Sequence, residues 1–227
     1  MKINFTILVL FVILVSCSTS QIVTNGTKAQ EIKELAVFKP LTTVYYIDRG
    51  NSGNYNQALS DSLQRSLTTL IDTLLKPSVK LKTLNIDLIT NSKVEFELVK
   101  ITNTLEKSPF IDKVKIPSYL DSLMVTQNVD YALCVVHSGF TRSNSNYASN
   151  IAGGLLLGIA TLGMVYTVPI MGSSMMYCFI LDHKKGNIAF YRTSKMTDTN
   201  PIKYQKKQLE KIFKGYFNIS KEDNFYY

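Results

Sequence analysis

Met175-Met-Tyr-Cys-Phe-Ile-Leu-Asp-His-Lys-Lys-Gly-Asn-Ile-Ala-Phe-Tyr-Arg192 is the most specific structural signal in the sequence. Residues 175–181 are apolar at consecutive positions, the pattern of a strand covered on both faces. Asp182 to Asn187 is then a polar turn in which Gly186 is free to adopt φ > 0, and Ile188 to Tyr191 returns. The segment reads as a β-hairpin. Upstream, Asp130-Tyr-Ala-Leu-Cys-Val-Val136 has the same uninterrupted apolar character. It is expected to be a central strand beside the first arm of the hairpin.

Between these strands the chain carries no charge: Ser143 to Leu181 contains no Asp, Glu, Lys or Arg. Its middle, 151–172, is nearly all apolar or glycine, an insert long enough to cross a bilayer core, which takes ~20 apolar residues. Such a helix would be arrested by the translocon during export, and Gly153, Gly154, Gly158, Gly163 and Pro169 interrupt it. The expected form is a short helix near 151–162 followed by an extended piece through Val165 to Val168. It either packs on the domain or presents an apolar patch, and patches of that kind mark membrane or partner contacts. The residues expected to make that contact are Leu155, Leu156, Ile159, Leu162, Val165 and Tyr166.

Working outward, Thr42-Thr-Val-Tyr-Tyr-Ile47 reads as a strand and 48–54 as a loop. Tyr55, Leu59, Leu63, Leu67, Leu70, Ile71 and Leu74 recur at helical spacing up to Pro77, their polar neighbours being a solvated face. Leu84 to Leu88 alternates as a short strand. Val94, Leu98, Ile101 and Leu105 mark a second helix with Asn91 or Ser92 as its N-cap, and Pro117 opens a third through Met124. Asn200-Pro201 begins a last helix carrying Ile202, Leu209, Ile212, Phe213 and Phe217 on one face and lysines on the rest. The fold class is α/β: a mixed β-sheet with a C-terminal β-hairpin and packed helices, plus the apolar Gly-rich insert.

The start of the chain sets its destination. Lys2, an apolar run from Ile7 to Val15 and Leu14-Val-Ser-Cys17 form an export signal with a lipobox-like end. The expected organisation is a signal peptide over 1–16, a lipid-anchored flexible tether over 17–39, an α/β domain over 40–217 bounded by Pro40, and a tail over 218–227. Net charge is +8 with 45% hydrophobic residues, a balance suited to anionic lipid headgroups or cell-wall polymers. An exported, anchored protein has no nucleic-acid partner.

No catalytic motif stands out. Gly153 to Gly158 has phosphate-loop spacing, but Ile159-Ala160 occupies the place of the required Lys-Ser/Thr. Metal-ligand spacing and cofactor motifs are absent, so none of either is expected. His137, at a strand end beside Ser138, has the place of a general base in a hydrolase; the favoured reading is a core-edge histidine with one hydrogen bond. Cys134 and Cys178 read as buried free thiols, although an oxidising compartment allows a disulfide. The lysines of the last helix are a solvated face or a membrane contact.

Leu14-Val-Ser-Cys17 resembles the lipobox of bacterial lipoproteins, which implies diacylglyceryl transfer to the Cys17 thiol and cleavage before it. Together with the Asp130–Val136 strand, the insert and the 177–192 segment, it is similar to lipoproteins of the Bacteroidetes. It also resembles the curli-secretion lipoprotein family and lipoproteins that activate cell-wall synthases. The resemblance implies a non-enzymatic binding or assembly domain, and no catalytic residue transfers. Ser18, with no Asp after Cys17, implies the periplasmic face of the outer membrane. Three functions stay open: a binding or assembly lipoprotein with an envelope-protein or cell-wall partner, a membrane-associated homo-oligomeric export component using 151–172, and a hydrolase.

Overall fold

The computed structural model describes residues 21–84, 86–107, 110–162, 164, 169–197 and 204–219. The elements are β1 (Val23–Thr24), β2 (Glu34–Val37), β3 (Leu41–Ile47), β4 (Asn54–Tyr55), α1 (Gln57–Leu75), β5 (Lys80–Thr83) and α2 (Leu88–Lys107). Then come α3 (Ser118–Thr126), β6 (Tyr131–Arg142), α4 (Asn144–Ala160), β7 (Gly172–Asp182), β8 (Asn187–Thr197) and α5 (Gln205–Phe213).

β6, β7 and β8 form the antiparallel centre of one mixed sheet, with Val135 opposite Cys178 and Cys178 opposite Arg192. β1 adds antiparallel to β8. On its other side β6 takes two parallel partners placed end to end. β2 pairs at Ala132 and Leu133, and β3 pairs from Val136 to Arg142. β5 lies parallel outside β2, and β4 antiparallel outside β3. The hairpin turns as its sequence suggests, with Gly186 at φ 63°, and its buried Asp182 accepts from the Lys185 backbone N–H at 3.1 Å.

Alternation along β6 and β7 divides two cores. Ala132, Cys134, Phe179 and Leu181 face α2 and α3, while Leu133, Val135, Met176 and Cys178 face α1 and α5. The molecule is therefore a three-layer sandwich. The two cysteines lie on opposite faces of the sheet as buried free thiols, so their positions prevent a disulfide between them.

Five expectations change. The segment 21–39 is not a flexible tether: it contains β1 and β2, and Leu35, Ala36 and Phe38 are fully buried. Pro40 marks a break between two strands and not a domain boundary; proline has no N–H to give a ladder, and pairing resumes at Leu41. The short strand lies at Lys80–Thr83, ahead of the alternating Leu84–Leu88. There Leu84 and Ile86 pack as a connection against the α2 side of the core. α2 begins at Leu88, a turn earlier than Asn91 or Ser92, because the Asp87 carboxylate accepts from the Thr90 backbone N–H at 2.9 Å. Tyr55 precedes α1 and packs edge-on to Tyr45. Asn200, Pro201 and Ile202 lie outside the described residues.

Candidate contact surface

β6 and β7 run on beyond β2, and from their far end rises α4. Ser143 caps it, its hydroxyl accepting from the Asn146 backbone N–H at 3.1 Å. The helix is continuous over Asn144–Ala160, longer than the expected 151–162. It stops where Leu162 turns into the left-handed region at φ 52°, a conformation usually left to glycine.

Only Asn146 and Gly154 of α4 are buried. Leu155, Leu156, Ile159 and Leu162 are 54, 67, 66 and 90% exposed. Ile151, Leu157, Met164 and Ile170 are exposed as well. Val165 and Tyr166 lie outside the described residues, as does the extended piece expected at 165–168. No described helix is long and apolar enough to cross a membrane. The element is an apolar, uncharged arm standing off the sheet.

Its base is held by Arg142, the last residue of β6. The guanidinium donates to the Ile170 carbonyl at 3.0 Å, to the Gly50 carbonyl at 3.0 Å, and to the side-chain carbonyls of Asn146 (2.8 Å) and Asn51 (2.9 Å). Asn146 also donates to Gly50 O at 3.1 Å, and Ser143 N–H to Ile47 O at 3.0 Å. One planar cation thus joins β6, the 50–51 loop, the first turn of α4 and the returning chain. The sequence reading did not single out Arg142. Its position immediately before the 143–181 charge-free stretch was the available signal.

Below the arm, on the α5 face, lies a sealed polar cluster. The Ser174 hydroxyl donates to Gln208 Oε1 at 2.8 Å, and Gln208 Nε2 donates to the Ser194 carbonyl at 3.1 Å. With its proton committed there, Ser174 accepts from His137 Nε2–H across 2.7 Å. The imidazole is therefore the neutral Nε2–H tautomer, and burial pushes its pKa down to about 4. His137, Ser174 and Gln208 have no exposed surface. The cluster fastens α5 to β6, β7 and β8, and a substrate has no route to the His–Ser pair without opening it. His137 Nδ1 and the Gln205 amide have no hydrogen-bond partner among the described residues. On the other face Tyr177 donates to Glu106, and burial followed by that carboxylate raises the phenol's pKa.

At the opposite end of the sheet a cleft of about 390 Å³ lies beside Asp130, Tyr131 and Glu34. Two of its carboxylates are paired by lysines: Lys184 with Asp130 and Lys80 with Glu34, each at 2.6 Å. His183, in the hairpin turn, pairs with Asp121 at 2.7 Å. Cys17, the expected lipidation site, lies outside the described residues.

No protein-family model matches the chain, and no curated protein matches it. Among solved structures it is similar to the PelC dodecamer from Paraburkholderia phytofirmans, at 8% identity and TM-score 0.40, over 86% of this chain and 96% of that one. It is similar to the LpoB C-terminal domain from Salmonella enterica at 12% identity and TM-score 0.29, over 76% and 87%. A DUF4136 family protein from Bacteroides thetaiotaomicron shows 6% identity and TM-score 0.23, over 77% and 81%. TM-scores of this size carry no conclusion about the function or partners of this chain.

Proposed function

We propose that this chain is a cell-envelope lipoprotein, anchored through Cys17 at the periplasmic face of the outer membrane, that works by binding and assembly without catalysis. The contact element is the α4 arm. The observation carrying this reading is the exposure of Leu155, Leu156, Ile159 and Leu162 on an uncharged helix whose base is fixed by Arg142. An apolar surface of this kind is costly in water and is retained where something covers it. Leu14-Val-Ser-Cys17 supports the anchor, and the sealing of His137 and Ser174 from solvent supports a non-enzymatic role.

The test is sedimentation of an anchorless protein beginning at Gln21, which retains every described element. It is expected to self-associate without detergent. Leu156→Glu with Ile159→Glu is expected to make it monomeric with an unchanged melting temperature, because both side chains are exposed. A parent that sediments as a single monomeric species without detergent removes the contact-surface reading.

A further inference from the structure

We propose that the outer face of α5, together with the point where the chain enters at Gln21–Ile22, lies against an anionic lipid surface. Lys206, Lys207 and Lys214 would then sit over headgroup phosphates. The inference rests on lipidation of Cys17 and adds to it an orientation, with one named side of the sandwich towards the bilayer and the arm left free.

The first support is reach. Gln21 already belongs to the ordered domain, and only residues 18–20 separate it from Cys17. Whatever path they take, four peptide steps extend at most about 14 Å. A chain anchored at Cys17 therefore holds its domain against the membrane, and the side that touches is the side where Gln21 emerges. That entry lies at the β1 edge of the sheet, where Val23 packs towards the α2–α3 core and Ile22 Cδ1 lies 3.5 Å from where a side chain on Gly215, just past α5, would begin; the end of α5 is therefore beside it. Arg192 donates to the carbonyls of Ile212 and Lys214 and fixes the end of the helix there.

The second support is charge, and it is independent of the first. α5 buries Gln205, Gln208, Leu209, Ile212 and Phe213 against the sheet. At 100° per residue that turns Lys206, Lys207, Lys211 and Lys214 outward with Glu210, the only carboxylate among described residues 204–219. The opposite layer is balanced. On α2, Lys93, Lys100 and Lys107 offset Glu95, Glu97 and Glu106, and α3 adds only Asp121. On α1, in the same layer as α5, Arg65 stands against Asp61 and Asp72. Among the described helices the net positive charge is thus highest on α5, where Lys206, Lys207 and Lys214 lie beside the chain entry. Basic residues within a Debye length of an anionic bilayer are drawn to it, each shifting the balance about fivefold.

The test uses the full lipidated protein in vesicles of phosphatidylethanolamine and phosphatidylglycerol that contain a nitroxide-headgroup lipid. A fluorophore is placed on one introduced thiol, at Asn218→Cys beside α5 or at Ser122→Cys on the opposite layer. Cys134 and Cys178 are buried and stay unlabelled. The label at 218 is expected to lose most of its fluorescence and the label at 122 to keep it. Lys206→Glu, Lys207→Glu and Lys214→Glu together, or vesicles of phosphatidylcholine alone, should remove that difference. Equal quenching at both sites, quenching at 122 alone, or a signal at 218 indifferent to the charge reversal overturns the orientation. The intact mass separates the two possible failures. An unmodified Cys17 ends the anchor and this inference with it, whereas a lipidated chain lacking the quenching pattern ends this inference alone.

Discussion

His137 is held as a neutral ring, and that makes the fold sensitive to acid. An unfolded imidazole takes its proton near pH 6.5, whereas in the fold burial pushes that value down to about 4. Between the two the unfolded chain binds more protons, so stability falls as pH drops from about 6.5 towards 4, by up to about 1.4 kcal/mol per pH unit. Above that window both states are neutral and His137 contributes no pH dependence. Carboxylates add their own acid sensitivity, so the comparison is with His137→Gln, which keeps a donor for Ser174. Urea midpoints at about pH 7 and pH 4.5 should fall further for the wild type than for the variant; equal losses would sink the idea. Arg142 gives a second prediction at this scale. Its removal strips four side-chain hydrogen bonds from the base of the arm. Arg142→Ala should speed amide exchange across 144–160 and leave β6 and β7 protected. Arg142→Lys should not rescue it, since an ammonium cannot reproduce a planar fork. Unchanged exchange in the alanine variant would show that the arm is held by other means. This clamp was not legible in the sequence, because its partners at 50, 51, 146 and 170 meet only through the fold.

Among the elements, β6 is where an error costs most. Val135 is buried on the α1–α5 face, and Val135→Asp places an unpaired carboxylate there. The cost is several kcal/mol, of the order of a whole domain's stability. The variant should show no cooperative thermal transition, and an unchanged melting temperature would refute the strand's central place. This strand and the hairpin were legible because runs apolar at every position are covered on both faces, and little else in the chain looks like them. β2 was not. Leu35-Ala-Val-Phe38 is only four residues between Lys33-Glu34 and Lys39, and its burial comes from lying between β5 and β6, which are distant in sequence. Ser60 was hidden for a related reason. It sits among polar helix residues, yet it is buried, and its hydroxyl accepts from the Val44 backbone N–H at 3.0 Å while its carbonyl accepts from Thr42 Oγ1 at 2.7 Å. The exposure of 155–162 was legible only as one of two outcomes, since composition does not say whether an apolar helix finds a groove.

For the whole molecule, the ordered domain begins by residue 21, which gives a prediction about truncation. A chain starting at Leu41 would lose β1 and β2, and with them the buried Leu35, Ala36 and Phe38. β5 would be left without its partner, and the first half of β6 would become an edge. That protein should lack a cooperative melting transition, whereas one starting at Gln21 should melt as the full chain does; calorimetry of the two decides it. The same arrangement, β2 and β3 end to end beside a single long β6, also has a mechanical side. Once the two-residue β1 has parted from β8, tension from the N-terminus reaches β2 at its first residue, and tension from the arm leaves β6 at its last. The two parallel neighbours are then drawn past one another in opposite directions, a shearing load that the bridging hydrogen bonds from Ala36 to Ile47 meet together instead of parting one at a time. On the proposed anchor at Cys17 and contact at the arm, a domain strung this way would carry force from one to the other through these paired strands and stretch little.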